Sequence, residues 1–118
     1  MDAATELALV VEAIQCGFTG CVLWRDEGVE NRARRELQGL TPNAIVDLLV
    51  IWVKANHNRV KQVRETRQGF RDFYTFHYDV VLPVADFPRD LYVEMVIEDP
   101  PDLDCPEVVI VSAHLNYS

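Results

Sequence analysis

The hydrophobic period of this chain changes once, near residue 58, from about 3.6 residues to 2. No other feature constrains the fold as much. Ahead of the change the apolar residues recur at helical spacing. Ile45, Leu48, Leu49, Trp52 and Val53 mark one stripe, which Val46, Val50 and Ile51 widen. Thr41 can cap this helix with its hydroxyl, and Pro42 at the first helical position forfeits no hydrogen bond. The helix over 42–55 is therefore expected to be the most buried, ended by the turn residues "NHN" at 56–58. Leu7, Val10, Val11 and Ile14 predict a helix over 3–16 that stops at Gly17. Val29, Ala33 and Leu37 predict a second over 27–38 that stops at Gly39. The stretch "FTGCVLWRD", 18–26, is ambiguous between a short strand and a loop.

Beyond the change, alternation predicts four strands, at about 59–66, 72–83, 90–98 and 107–115. The breaks between them are short, which favours an antiparallel meander over parallel crossovers. At 118 residues the chain is expected to be one domain. The expected class is α+β, with two to three N-terminal helices packed on one face of a four-stranded, mainly antiparallel sheet.

A period of two also assigns faces. Tyr74, Phe76, Tyr78, Val80 and Leu82 form the apolar set of the second of these strands, and Leu91, Val93, Met95 and Ile97 that of the third. In the fourth the sets are Val109, Val111, Ala113, Leu115 and Val108, Ile110, Ser112, His114. If the apolar sets face the helices, the other face carries Thr75, His77, Asp79, Tyr92, Glu94, Ser112 and His114. The strand at 59–66 is not oriented by its pattern, which leaves Arg64 able to join that face. Asp79 is placed to orient His77, because side chains two apart on a strand share a face.

Two histidines, two carboxylates and a tyrosine form a candidate acid–base surface. Metal-independent RNA cleavage needs a base for the 2′-hydroxyl, an acid for the leaving 5′-oxygen and a donor for the phosphate. Histidine suits the first two roles. His77, His114 and a carboxylate also copy the ligand types of a two-histidine, one-carboxylate metal triad. Those types occur on almost any small domain, and the chain has no Gly-rich phosphate loop, GxSxG or HExxH. No metal and no cofactor is expected.

The layout over about 27–115, with "ETR" at 65–67, "FHYDV" at 76–80, "LYVE" at 91–94 and "VSAHL" at 111–115, resembles the superfamily of RelE-like and barnase/EndoU/colicin-type ribonuclease toxins. The resemblance implies RNA cleavage without metal, with His77, His114, Arg64 and Tyr92 as the catalytic candidates. It implies RNA as substrate, and an antitoxin as cognate protein partner.

Charge supports a different reading. The formal net charge is −8, and residues 72–118 hold ten acids and one base, Arg89. Residues 25–71 hold ten bases and six acids. An acidic chain works against non-specific binding to nucleic acid, so no DNA partner is expected. The alternative to an enzyme is an acidic interaction module that docks a basic partner, or self-associates, through its sheet or through 83–106, where "DPPDLDCPE" concentrates four acids. The cysteines Cys16, Cys21 and Cys105 are odd in number and lack CxxC spacing, so all three thiols are expected to be unpaired, in a reducing cytoplasm. The acidic start and Glu12 in the first apolar run argue against a signal peptide or a membrane span.

Overall fold

The computed structural model describes residues 2–16, 21–85, 87–97 and 106–115. Three helices, α1 (Ala3–Cys16), α2 (Glu27–Glu36) and α3 (Pro42–Ala55), accompany five strands. These are β1 (Val22–Trp24), β2 (Lys61–Arg64), β3 (Phe76–Leu82), β4 (Leu91–Ile97) and β5 (Val108–Leu115). The sheet order is β1-β5-β4-β3-β2, so the last four strands form a sequential antiparallel meander. The expected four-stranded sheet is corrected to a five-stranded mixed one. The ambiguous segment contains a strand, β1, which pairs in parallel with β5 from Val22 opposite Val108 to Trp24 opposite Ile110. Three residues are too few to show alternation, and a parallel partner more than eighty residues away leaves no local turn signal.

Each described helix begins as its sequence dictates. Asp26 caps α2 through Oδ1, which accepts from Val29 N–H at 2.9 Å, and Thr41 Oγ1 accepts from Ala44 N–H at 3.1 Å at the start of α3. Asn56 closes α3 by donating its backbone N–H to the Trp52 and Val53 carbonyls. Helix α2 stops at Glu36, and the chain reverses through Gly39 at φ 96°, a conformation glycine adopts without a Cβ penalty.

One core cluster joins the helices to the sheet. Val10, Ile14, Ala33, Leu37, Ile45, Leu49 and Val53 pack with Tyr78, Val80, Leu82, Leu91, Val93, Met95 and Ile110. Tyr78 is fully buried, and its hydroxyl donates to Glu6 at 2.8 Å and accepts from Gln62 at 3.0 Å, which ties α1 to β2 and β3. Helix α3 buries Ile45, Leu49, Val50 and Val53, but Trp52 is only half-buried and Ile51 is 66% exposed. Leu49→Ala should therefore cost about 2–5 kcal/mol in denaturant titration, whereas Ile51→Ala should cost under about 1. Equal losses would show that both residues pack alike.

The alternation assigned to 107–115 also needs correction. A register shift between Glu94 and Met95 moves the pairing from Ser112 to Ile110. The extra residue, Val111, is a β-bulge, and it reverses the phase of the strand before it. Val108, Ile110 and Ala113 accordingly face the core, and Val109 and Val111 are only partly buried. Among the cysteines, Cys16 is exposed and Cys21 is buried, and neither is in a disulfide among the described residues. Cys105 and most of the acidic loop lie outside the described residues. No described helix is long and apolar enough to cross a membrane.

Candidate active site

The sheet face turned away from the helices carries a continuous polar network. The pairing of β2 with β3 sets Val63 opposite His77 and Lys61 opposite Asp79. Next, β3 sets Asp79 opposite Glu94 on β4, and β4 sets Glu94 opposite Ser112 and Tyr92 opposite His114 on β5. Of the expected residues, His77, Asp79, Tyr92, Glu94, Ser112 and His114 all share this face. Arg64 does not. It pairs with Phe76, on the phase of Gln62 and Tyr78, and its guanidinium lies 5.8 Å from the Phe76 ring.

Asp79 and Glu94 are a like-charge pair directly opposite each other, which by itself destabilises a sheet. A hydrogen bond and a cation offset it. His77 Nδ1 lies 2.9 Å from Asp79 Oδ1, the i,i+2 contact that the alternation implies. The cation is Arg67, which was not among the expected site residues. Its Nε and Nη2 grip Glu65 at 2.9 and 2.8 Å, while Nη1 and Nη2 both reach Glu94. Glu65 and Glu94 are each only 5% exposed, so Arg67 bridges two buried carboxylates. Glu65 and Arg67 continue the phase of Val63 past the end of β2. The alternation Val63–Glu65–Arg67 is the signal in the sequence that places them.

Arg67 holds the Glu65 carboxyl down to about 2 from its ordinary 4.5, chiefly through the side-chain hydrogen bond. The same ion pair pushes Arg67 upward. Burial, with Glu94 and Asp79 alongside, raises Tyr92, so its hydroxyl keeps its proton and donates to Glu94 Oε1 at 3.0 Å. The sign for stability follows from Glu65. Its folded value lies below its unfolded one, so the contribution is present above about pH 4.5 and is lost as pH falls toward 2. The shift corresponds to on the order of 3 kcal/mol. Glu65→Gln should be less stable at neutral pH yet lose less further stability between pH 5 and 3 than the wild type does. Identical acid profiles of the two proteins would remove Glu65 as the cause.

His114 stacks on Tyr92, with ring centroids 5.0 Å apart, and its Nδ1 lies 2.7 Å from the Leu115 carbonyl. Its backbone position is well removed from that of His77. His77 lies in the row of Val96 and His114 in that of Tyr92, four residues along β4 and two strands across. At about 3.3 Å per residue and 4.8 Å per strand, the two backbone positions are about 16 Å apart. The expected pair of histidines is thus separated by Tyr92. His77 Nε2 has no hydrogen-bond partner among the described residues, and Nδ1–H to Asp79 makes Nε2 the basic nitrogen of the neutral ring.

The nearest nitrogen and oxygen atoms of His77, Asp79 and Glu94 lie within 4.8 Å of one another, a ligand set for a divalent ion. These atoms are engaged, however, by Arg67, Tyr92 and the His77–Asp79 bond. The cluster is closed by its own hydrogen bonds, and an ion there would have to displace them.

Fold and site together define a class: a small α+β domain with an imidazole–carboxylate pair on the sheet face turned away from its helices. No protein-family model, curated protein or solved structure matches the chain.

Proposed function

We propose that this chain is a small metal-independent ribonuclease with His77 as its general base. The observation that carries the reading is the His77–Asp79 pair. Asp79 fixes the tautomer and orientation of the ring, and Nε2 is left as a proton acceptor, with 12% of the side chain reaching solvent. His77 Nε2 takes the 2′-hydroxyl proton, and the 2′-oxygen attacks the adjacent phosphorus. The bond from phosphorus to the 5′-oxygen breaks, and that oxygen takes a proton from Tyr92. The products are a 2′,3′-cyclic phosphate and a 5′-hydroxyl. His114 is a positioning residue that holds the Tyr92 ring. Arg67, half-exposed beside Glu94, replaces Arg64 as the candidate cation for the phosphate.

Local charge supports an anionic substrate better than the total does. Asp79, Glu94 and Glu65 are balanced on this face by Lys61, Arg67 and Arg25, whose guanidinium lies over Phe70 beside Arg67. The alternative reading, an acidic docking module, gains least from a face whose charges cancel. Incubation of the purified protein with a mixed RNA in EDTA should yield fragments ending in 2′,3′-cyclic phosphate. RNA left intact at micromolar protein, free of any co-purified inhibitor, would sink the ribonuclease reading.

A further inference from the structure

Helix α2 carries Arg32, Arg34 and Arg35, but they are not equivalent. Arg34 faces Glu30, one turn earlier, at 3.9 Å. Arg32 and Arg35 have no ion-pair partner among the described residues. Both line a cavity of about 470 Å³ together with Arg25, Asp26 and Ser112. The cavity lies where β5 runs past the end of β1, because β1 pairs only with Val108–Ile110. Asp26 is the one acid in its wall, and its Oδ1 is taken by the Val29 N–H. Three arginines around one cavity repel each other. Their guanidinium groups are suited to phosphate oxygens.

A second cavity of about 160 Å³ adjoins the first and shares Arg25 and Val111 with it. Its wall is aromatic, formed by Phe70, Phe73 and Tyr74. Phe73 is 68% exposed, an unusual position for a large apolar ring. Gly69, at φ 88°, makes the reversal that presents this segment. Phe70 lies between two guanidinium groups, with Arg25 at 5.2 Å and Arg67 at 4.8 Å from its ring centroid. A cationic cavity beside an aromatic one is the pairing by which single strands are held, phosphates on arginines and bases on rings. The cavities also border the proposed active site: Ser112 in the first is opposite Glu94, and Phe70 in the second touches Arg67.

We propose that the Arg25–Arg32–Arg35 cavity and the Phe70–Phe73 platform form a binding groove for single-stranded RNA that leads onto the His77 face. The cavity takes a backbone phosphate, and Phe73 stacks a neighbouring base. The substrate class rests on the ribonuclease reading, but the test does not need cleavage. The probe is a fluorescein-labelled 2′-O-methyl oligouridylate, which has no 2′-hydroxyl to attack, and binding is read by anisotropy over a series of salt concentrations. Wild type should bind it with salt-dependent affinity. The double variant Arg32→Gln/Arg35→Gln should bind at least about tenfold more weakly, with a log–log salt slope flatter by about 0.7, one phosphate contact on a single strand. Phe73→Ala should bind about tenfold more weakly with its salt slope unchanged. The control Arg34→Gln/Arg59→Gln makes the same charge change outside the cavity and should match wild type. All these side chains are exposed, so the variants should fold, which circular dichroism checks. Failure of wild type to bind, an equal loss in the control, or equal affinity for inorganic pyrophosphate or duplex RNA would overturn the proposal. Binding that persists where wild type cleaves no RNA would sink the ribonuclease reading and leave the groove standing.

Discussion

His77→Ala is expected to lower RNA cleavage at least about 10²-fold, the scale for losing a general base. The substituted ring is the one whose Nε2 is left to accept a proton while Nδ1 is held by Asp79. Asp79→Asn should lose less, because the ring stays but its tautomer and angle are no longer fixed. Tyr92→Phe removes the proposed acid and should also lose activity, and His77→Ala/Tyr92→Phe should lose little more than the worse single variant, since base and acid act as a unit. His114→Ala should have the smallest effect, because its contact with the proposed acid is the stacking on Tyr92. Cleavage by His77→Ala within a few-fold of wild type would remove this side chain from the chemistry. A His114→Ala loss as large as that of His77→Ala would give His114 a direct part in the chemistry.

Arg67→Met should destabilise the fold by about 3 kcal/mol or more. It deletes the shared partner of Glu65 and Glu94 and leaves two buried carboxylates uncompensated, with Asp79 opposite one of them. The methionine keeps an apolar stem of similar length and gives up the guanidinium over Phe70, a smaller loss than that of the two ion pairs. Adding Glu65→Gln and Glu94→Gln to Arg67→Met should recover a large part of the loss, because the amides remove the unpaired charges. Chemical denaturation of the single and triple variants at neutral pH decides this. A single-variant loss under about 1 kcal/mol would show that water solvates these carboxylates already.

Much of this arrangement was legible in the sequence because its signals are local. Capping side chains and apolar spacing fix α2 and α3 within a few residues of each start, and alternation fixes which side of β3 and β4 is apolar. The contact between His77 and Asp79 follows from pleat geometry alone, as two side chains at i and i+2 on one strand. The polar face of β3 and β4 is therefore legible without any tertiary contact.

Three features depended on pairing between segments far apart in the chain. β1 has too few residues for a pattern of its own and exists as a strand because β5 accepts it. The bulge at Val111 is invisible to alternation, because apolar residues flank it on both faces; only the partner strand shows that one residue is extra. The phase of β2 was undetermined by its mixed pattern, and its register against β3 excluded Arg64 from the site and admitted Glu65 and Arg67. The sequence by itself determined the helices, the meander and the polar face, since each depends on residues a few positions apart. The tertiary structure alone decided which cation bridges the carboxylates and that His77 and His114 stand apart, because strand register is a property of two segments and neither one encodes it.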